Sequence, residues 1–511
     1  MKSKIACFLA CVLTLSACKE DFLDLAPPTT LSDATFYTKE SHFNQALVAS
    51  YERLRVIAYT GIYMDEMRSD NTFFTYYAND RGPFLRDEVI AEFLDDANTN
   101  SHVSNRYNAA YAGISRINTI LSRIDGANLS ETAKNRILGE SYFLRAFYYY
   151  DLVTHFGPVA LHLQEVKSED GAFLSRSPVG DVYAQIIADV TLAIPLLPVA
   201  ETFPQTGVAT QGAAKMLLAY AYMSKPQPEH ALAEAQLRDI TNMHYALLPE
   251  YGDVFKLANK NSSESIFEVQ YKAGDTGQQS DFIWRFIPKT VNSEFILGIR
   301  ASTIGFNSGG WNVPTQEMID SYEAGDERLP ASVAVAEGTQ DGDNFTIDAV
   351  KDVVGYTPTP GKTYHYFLKK YLNPPYAREW NTDDNWPVYR YSGALLLLAE
   401  CLVAQGKNTE ALPFINEVRD RAGLDDLTSV TEDDVADEMR HELAYENHRW
   451  TDLIRTGKAV EVMTAHGVYL KSLYGFLLPT SFNVTTDRLI YPIPFREIQT
   501  NTNLLPQNQG Y

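Results

Sequence analysis

The sequence predicts a mainly α-helical protein built from paired helices and interrupted by one large irregular insertion. Apolar residues recur at spacings of three and four over long stretches at both ends of the chain, the mark of amphipathic helices. From about residue 247 to 387 that spacing gives way to Gly-, Pro-, Asn- and Asp-rich segments. The chain has 511 residues, 45% of them apolar, so it is long enough to bury a large core.

Helical spacing starts near Ser41, in HFNQALVASYERLRVI. The aromatic stretch RSDNTFFTYYANDRGP follows and reads as loop. In VSNRYNAAYAGISRINTILSRI, residues Tyr107, Tyr111, Ile114, Ile117, Leu121 and Ile124 share one helical face. ETAKNRILGESYFLRAFYYYDLVTHF is a second long helix, stopped by Gly157-Pro158. VGDVYAQIIADVTLAIPLL, TQGAAKMLLAYAYMS and PEHALAEAQLRDITNM continue the series. Far downstream, VYRYSGALLLLAECLVAQG and NTEALPFINEVRDRAG form another pair. Small residues such as Ala213, Ala214, Ala219 and Ala221 stand where helices must approach. The pattern resembles tetratricopeptide-type pairing, in which each unit buries its stripe on a neighbour.

Inside the insertion SIFEVQY is strand-like, whereas GFNSGGWNVP, GTQDGDN and GYTPTPGKTYHY read as loops. Their aromatic content argues against disorder, and ordered loops of this length usually carry function. The expected body is one unit, 41–511, with helical repeats at about 41–245 and 388–460. The loop-rich, ligand-binding region is 247–387 and the C-terminal segment 461–511.

The N-terminus, MKSKIACFLACVLTLSACKEDF, has the layout of an export signal over residues 1–17. Leu15-Ser16-Ala17-Cys18 resembles a bacterial lipobox, which predicts acylation of Cys18 and a lipidated tether over 18–40. Two acyl chains suffice for stable anchoring where one does not. Lys19-Glu20-Asp21 looks like a surface-export signal of some Gram-negative lipoproteins. The net charge of -22 excludes nucleic acid as a ligand, since neutralising phosphates needs clustered cations. Once Cys7 and Cys11 leave with the signal and Cys18 is acylated, only Cys401 remains. That rules out a disulfide framework within the chain and thiolate zinc.

Motifs for catalysis are near misses. HELAY, at His441, has Tyr445 where a zinc protease needs its second histidine. GYTPTPGKT spaces its glycines wrongly for a phosphate loop and spends two positions on prolines, which lack N–H donors. DGDNFTID lacks the glycine and terminal glutamate of an EF-hand loop. We therefore expect no enzyme, no cofactor and no catalytic or metal residues; whether calcium orders the Asp-rich loops is open.

From FLRAFYYYDLVTHFGPV onward the sequence resembles the SusD/RagB family of outer-membrane nutrient-binding lipoproteins. The resemblance runs through SSESIFEVQY, WNVPTQEMIDSYEAGDERL, RHELAYENHRWTDLIRTGKA and YPIPFREIQTNTNLLPQNQGY. It implies a lipid-anchored protein facing the cell exterior, acting as lid for a SusC-like TonB-dependent transporter. Its ligand would be an oligosaccharide or polysaccharide, with peptide binding or a protein-interaction scaffold as alternatives. In RHELAYENHRWTDLIR, residues Glu442, Glu446, Arg449 and Asp452 stand at helical spacings, and internal ion pairs with a docked Trp450 are expected.

A sugar site needs flat aromatic platforms and planar polar groups at their rim. Two segments offer that mix. One carries Asp70, Asn71, Tyr76, Tyr77, Asn79 and Arg81, and the resemblance places polar ligand contacts at Asp70-Asn71. The other carries Trp284 and Trp311, with Trp311 expected to be exposed between glycines and a proline. Trp380 and Trp386 are lesser candidates.

Overall fold

A computed structural model describes residues 36–79, 85–98, 100–300 and 309–511. Cys18, the signal and tether up to residue 35, and Arg81 lie outside the described residues.

Twelve helices carry the architecture described here. They are α1 (Glu40–Tyr51), α2 (Leu54–Gly61), α3 (Ser101–Arg123), α4 (Glu131–Phe156), α5 (Val179–Ala193) and α6 (Gln211–Ser224). After them come α7 (His230–Thr241), α8 (Tyr391–Ala404), α9 (Asn408–Arg421), α10 (Glu432–Glu442), α11 (Arg449–Arg455) and α12 (Ala459–Leu473). Their ends follow from side chains. Asn100 accepts from the His102 and Val103 amides, Ser130 from Ala133 and Thr210 from Ala213. Gly157 stops α4 at φ +68°, a conformation other residues resist.

Each helix packs on the next: α3 on α4, α4 on α5, α5 on α6, α6 on α7. Ala213, Ala214, Ala219 and Ala221 are fully buried in α6, the close approach that small side chains permit. The series then jumps the insertion, because α7 packs on α8, and α8 on α9 and α10. Cys401 is one of the buried residues of α8. The stretch Val179–Leu196 is long and apolar enough to cross a membrane by composition. It belongs instead to the array, where Asp189 in α5 binds Arg145 of α4 at 2.7 Å.

The insertion is closed at its base. β2 (Ser265–Val269) pairs antiparallel with β7 (Trp386–Arg390), so the chain returns to the point it left. β1 (Thr72–Phe73) pairs with β3 (Val313–Pro314). β4 (Val333–Asp341), β5 (Asn344–Asp352) and β6 (Thr363–Leu368) form a three-stranded antiparallel sheet in the order β5-β4-β6.

Three readings are corrected here. GTQDGDN is a hairpin, not a loop: Gly342 at φ +58° turns β4 into β5 over two residues. VYRYSG is not the start of a helix, since β7 runs to Arg390 before α8 begins. RHELAYENHRW is not one helix, because Tyr445 and Asn447 take φ of +68° and +67° between α10 and α11. Buried polar partners, described below, hold that turn.

Candidate ligand groove

An aromatic-walled groove of about 460 Å³ opens at the junction of helices and insertion. Helix α2 buries Leu54, Ile57 and Ala58 and turns Arg55, Val56 and Tyr59 toward the opening. Across from it stands Trp380, half-buried and held at φ +55°. Arg285 lies between these two rings, its guanidinium 4.9 Å from the Tyr59 centroid and 5.8 Å from that of Trp380. Trp284, fully buried, backs Trp380 at 5.7 Å.

The rim is polar and partly uncommitted. Arg55 is fixed by its Nε donating to the Gln270 carbonyl at 3.0 Å. Asp281 sits 3.4 Å from Arg285. Gln279 lines the groove, and its buried Oε1 accepts from no donor among the described residues. Neither does the buried Nε of Arg285 find an acceptor among them. Both atoms are out of reach of solvent, and Arg285 stands behind the groove lining while Gln279 and Asp281 are part of it. Two aromatic faces, a guanidinium and an amide can stack on the C–H face of a sugar and bind its hydroxyls. No cluster of three or more His, Cys, Asp or Glu among the described residues is arranged to hold a metal ion.

The two segments singled out from sequence do meet, but as packing. Thr72 lies opposite Pro314 and Phe73 opposite Val313, and the Thr75 amide donates to Gly310 at 2.8 Å. Trp311 is not exposed: it is 2% accessible, against Tyr63 and Phe74. The glycines beside it serve close backbone approach. A Cβ on Gly309 would stand 2.8 Å from the Ile287 carbonyl, and Gly310 donates to that oxygen at 2.7 Å. Trp284 is likewise a core residue, in a one-turn helix whose outward side chain is its neighbour Arg285.

Asp70 and Asn71 are buried and engaged. Arg449 grips the Asp70 carboxylate at 2.8 and 3.0 Å, and Arg440 reaches it at 2.9 Å. Burial alone would raise this carboxyl, but Arg449 and Arg440 hold it well below the usual range. The Asn71 amide donates to Glu66 at 3.1 Å and accepts from Arg440 at 2.9 Å. Tyr77 is buried beneath the Lys289 ammonium, and Tyr76 stacks on Phe476 at 3.7 Å. Asn79 is exposed at the edge of the described segment. Trp386 is buried in the groove floor. Sequence reasoning missed Tyr59, Gln279 and Arg285. The one signal was the charge of Arg285 set alone among the aromatics of DFIWRF.

Two family models cover most of the chain. One, described as SusD family, matches residues 263–511. The other, described as starch-binding associating with outer membrane, matches residues 21–225. The chain belongs to the SusD family. It is 26% identical to SusD-like protein P2 of Formosa agariphila over the full length of both proteins. It is 25% identical to the starch-binding protein SusD of Bacteroides thetaiotaomicron, over 78% of this chain and 76% of that one. Among solved structures, a laminarin-binding SusD-like protein superposes with a TM-score of 0.74 at 25% identity. That match covers 93% of this chain and all of the other. Surface glycan-binding protein A of Bacteroides thetaiotaomicron, solved with laminarihexaose, shares the fold at a TM-score of 0.71 and 22% identity. Three of these four relatives are named for binding and none for a reaction.

The segment that most strongly carried the resemblance to the SusD family is structural. Glu442 and Glu446 meet Arg390 at 2.8 and 2.7 Å, and Glu264 meets it at 2.7 Å. Lys370 joins Glu446 at 2.6 Å, and Arg421 joins Glu264 at 3.1 Å. Glu66 accepts from the Tyr445 and Asn447 amides at 3.0 and 2.9 Å, which fixes the turn between α10 and α11. Trp450 is buried beside Phe93 and Arg68. The near-motif HELAY is thus spent internally: Glu442 pairs with arginines and His441 bonds Ser321 at 2.9 Å. The C-terminal PQNQGY also packs, with Asn508 donating to Phe156 and Tyr491 carbonyls at 2.9 and 2.7 Å.

Proposed function

We propose that this SusD-family protein captures a glycan in the groove between Tyr59 and Trp380. The observation that carries this is that Tyr59 and Trp380 line one opening, with Arg285 packed against both rings and Gln279 and Asp281 in the same lining. Aromatic faces fixed by packing meet a sugar at small entropic cost, and the planar polar groups select its hydroxyls. The starch- and laminarin-binding relatives support a neutral saccharide as the ligand.

The capture occurs at the outer membrane, on a lipid chain at Cys18, with the body facing the cell exterior. The lipobox sequence and the outer-membrane description of the matching family model support this. The protein acts there as lid for a SusC-like TonB-dependent transporter, handing its ligand on for uptake. Titration calorimetry against laminarin- and starch-derived oligosaccharides tests the binding. Failure of the wild-type protein to bind any glycan in such a panel, with a peptide bound instead, would replace this reading. Mass spectrometry of the mature N-terminus tests the anchor, and co-purification with the transporter from membranes tests the lid.

A further inference from the structure

The sheet β5-β4-β6 carries a second aromatic surface that does not line the groove. Alternate residues of a strand share a face. Tyr364 and Tyr366, opposite Glu337 and Val335 in the register, therefore project together. Tyr356 joins them, its hydroxyl donating to Glu337 at 2.7 Å. Ring centroids run 5.3 Å from Tyr356 to Tyr364 and 5.5 Å from Tyr364 to Tyr366.

A second run of rings stands beyond the sheet, starting at Tyr474, which follows α12 and lies within electrostatic reach of Tyr364. Tyr474 lies 5.4 Å from Phe476, and Phe476 stacks on Tyr76 at 3.7 Å. Tyr364 and Tyr474 are 37% and 38% exposed, although aromatic rings of this size are usually well covered. The ring planes turn by 62° and 70° within the first run and by 33° from Tyr474 to Phe476 in the second, so the surface is stepped, not flat. A saccharide chain, whose rings rotate about each glycosidic bond, matches steps of that kind. A flat planar ligand does not.

Polar groups are interleaved with the rings. Tyr366 donates to Gln316 at 3.0 Å, and Lys351 and Lys362 are neutralised by Glu337 and Asp348 at 2.6 and 2.7 Å. Burial, with Tyr364 and Asp320 nearby, raises the Tyr366 hydroxyl to about 12, so it stays protonated. Asp320 accepts at 2.8 Å from Gln316, the same side chain that accepts from Tyr366. Such an acidic surround repels anionic chains and leaves neutral ones.

We propose that this tyrosine band is a second saccharide-contact surface, holding a neutral polysaccharide chain in addition to the groove. The proposal rests on the glycan-binding reading above. Affinity electrophoresis in gels containing laminarin or starch, beside calorimetry with their hexasaccharides, separates the two. Tyr364→Ala with Tyr474→Ala should weaken polymer affinity about tenfold, from two lost ring faces, and leave hexasaccharide affinity unchanged. Tyr364→Phe with Tyr474→Phe should restore polymer retention, while Trp380→Ala should weaken both ligands. If the double alanine protein is unstable, Tyr364→Ala alone, at an exposed strand position, carries the same expectation at about threefold.

If the alanine variants migrate like wild type in every gel that retards it, the band is not a glycan surface and the groove reading stands. If no polymer retards the wild type and no hexasaccharide binds, both readings fall. A dimer in sedimentation that Tyr364→Ala dissociates would make the band a contact between copies, and overturn the proposal.

Discussion

Replacing Trp380 with alanine separates a ligand platform from a core indole. Trp380 is half-buried at the groove edge, and its ring serves two partners, Arg285 at 5.8 Å and Trp284 at 5.7 Å. Losing a stacking face costs about 0.5–1.5 kcal/mol. That loss raises the dissociation constant about 2–13-fold. Arg285 loses one of its two aromatic neighbours with or without ligand, which costs about 0.5–1 kcal/mol of stability instead. Trp284→Ala is the control. That side chain is fully buried, so its truncation should cost about 3–5 kcal/mol of stability. Calorimetry with a hexasaccharide and urea unfolding read the two effects separately. A Trp380→Ala protein that binds like wild type would refute the placement of the ligand. So would a Trp284→Ala protein that keeps its stability and loses binding.

Arg390→Met should destabilise the fold by about 3–5 kcal/mol, since it strands Glu264, Glu442 and Glu446 without their shared cation, as urea unfolding would show. Gly309→Ala should cost about 1–3 kcal/mol, because a side chain at φ +100° is strained and its Cβ meets the Ile287 carbonyl; Trp311 fluorescence would report the loosened contact. Acid should weaken the protein in two stages read by thermal melting. Burial holds His441 down to about 3, so its contribution, full above the unfolded value near 6.5, is lost as pH falls. Asp70 and Glu442 are buried carboxyls held low by arginines; their contribution is present above about pH 4 and is lost as pH drops through their lowered values.

Much of the helical array was legible because helix patterning is local. Of the six spaced apolar residues starting at Tyr107, five fall on α3 and Ile124 caps its end, and the Gly157-Pro158 stop sits one residue past α4. Hairpin information was present and went unread. VAVAEGTQ and FTIDAVKD flank a two-residue Gly342-Asp343 turn, the strongest short-range sign of a β-hairpin. The site was far less legible, for a physical reason. Trp311 and Arg285 differ in exposure only because of what the chain brings against them from α2 and from residues near Trp380. Glycine beside tryptophan fits an exposed tip and a tight backbone crossing equally well. Only the partner backbone at Ile287 decides between them.

The charged hub explains why family likeness was readable where ligand contacts were not. Glu264 immediately precedes β2 and Arg390 ends β7, the paired strands that close the insertion; Lys370 follows β6, Arg421 ends α9, and Glu442 ends α10. One buried cluster thus ties the loop-rich region to the helices from several directions. Each charge there is costly to bury alone and tolerable only with its partners in place. Changing one member requires changing the rest, so the segment RHELAYENHRW is constrained by chemistry that does not depend on the ligand. Tyr59 and Trp380 pack on a different cation, Arg285, so the groove can be altered there with the hub's ion pairs left in place.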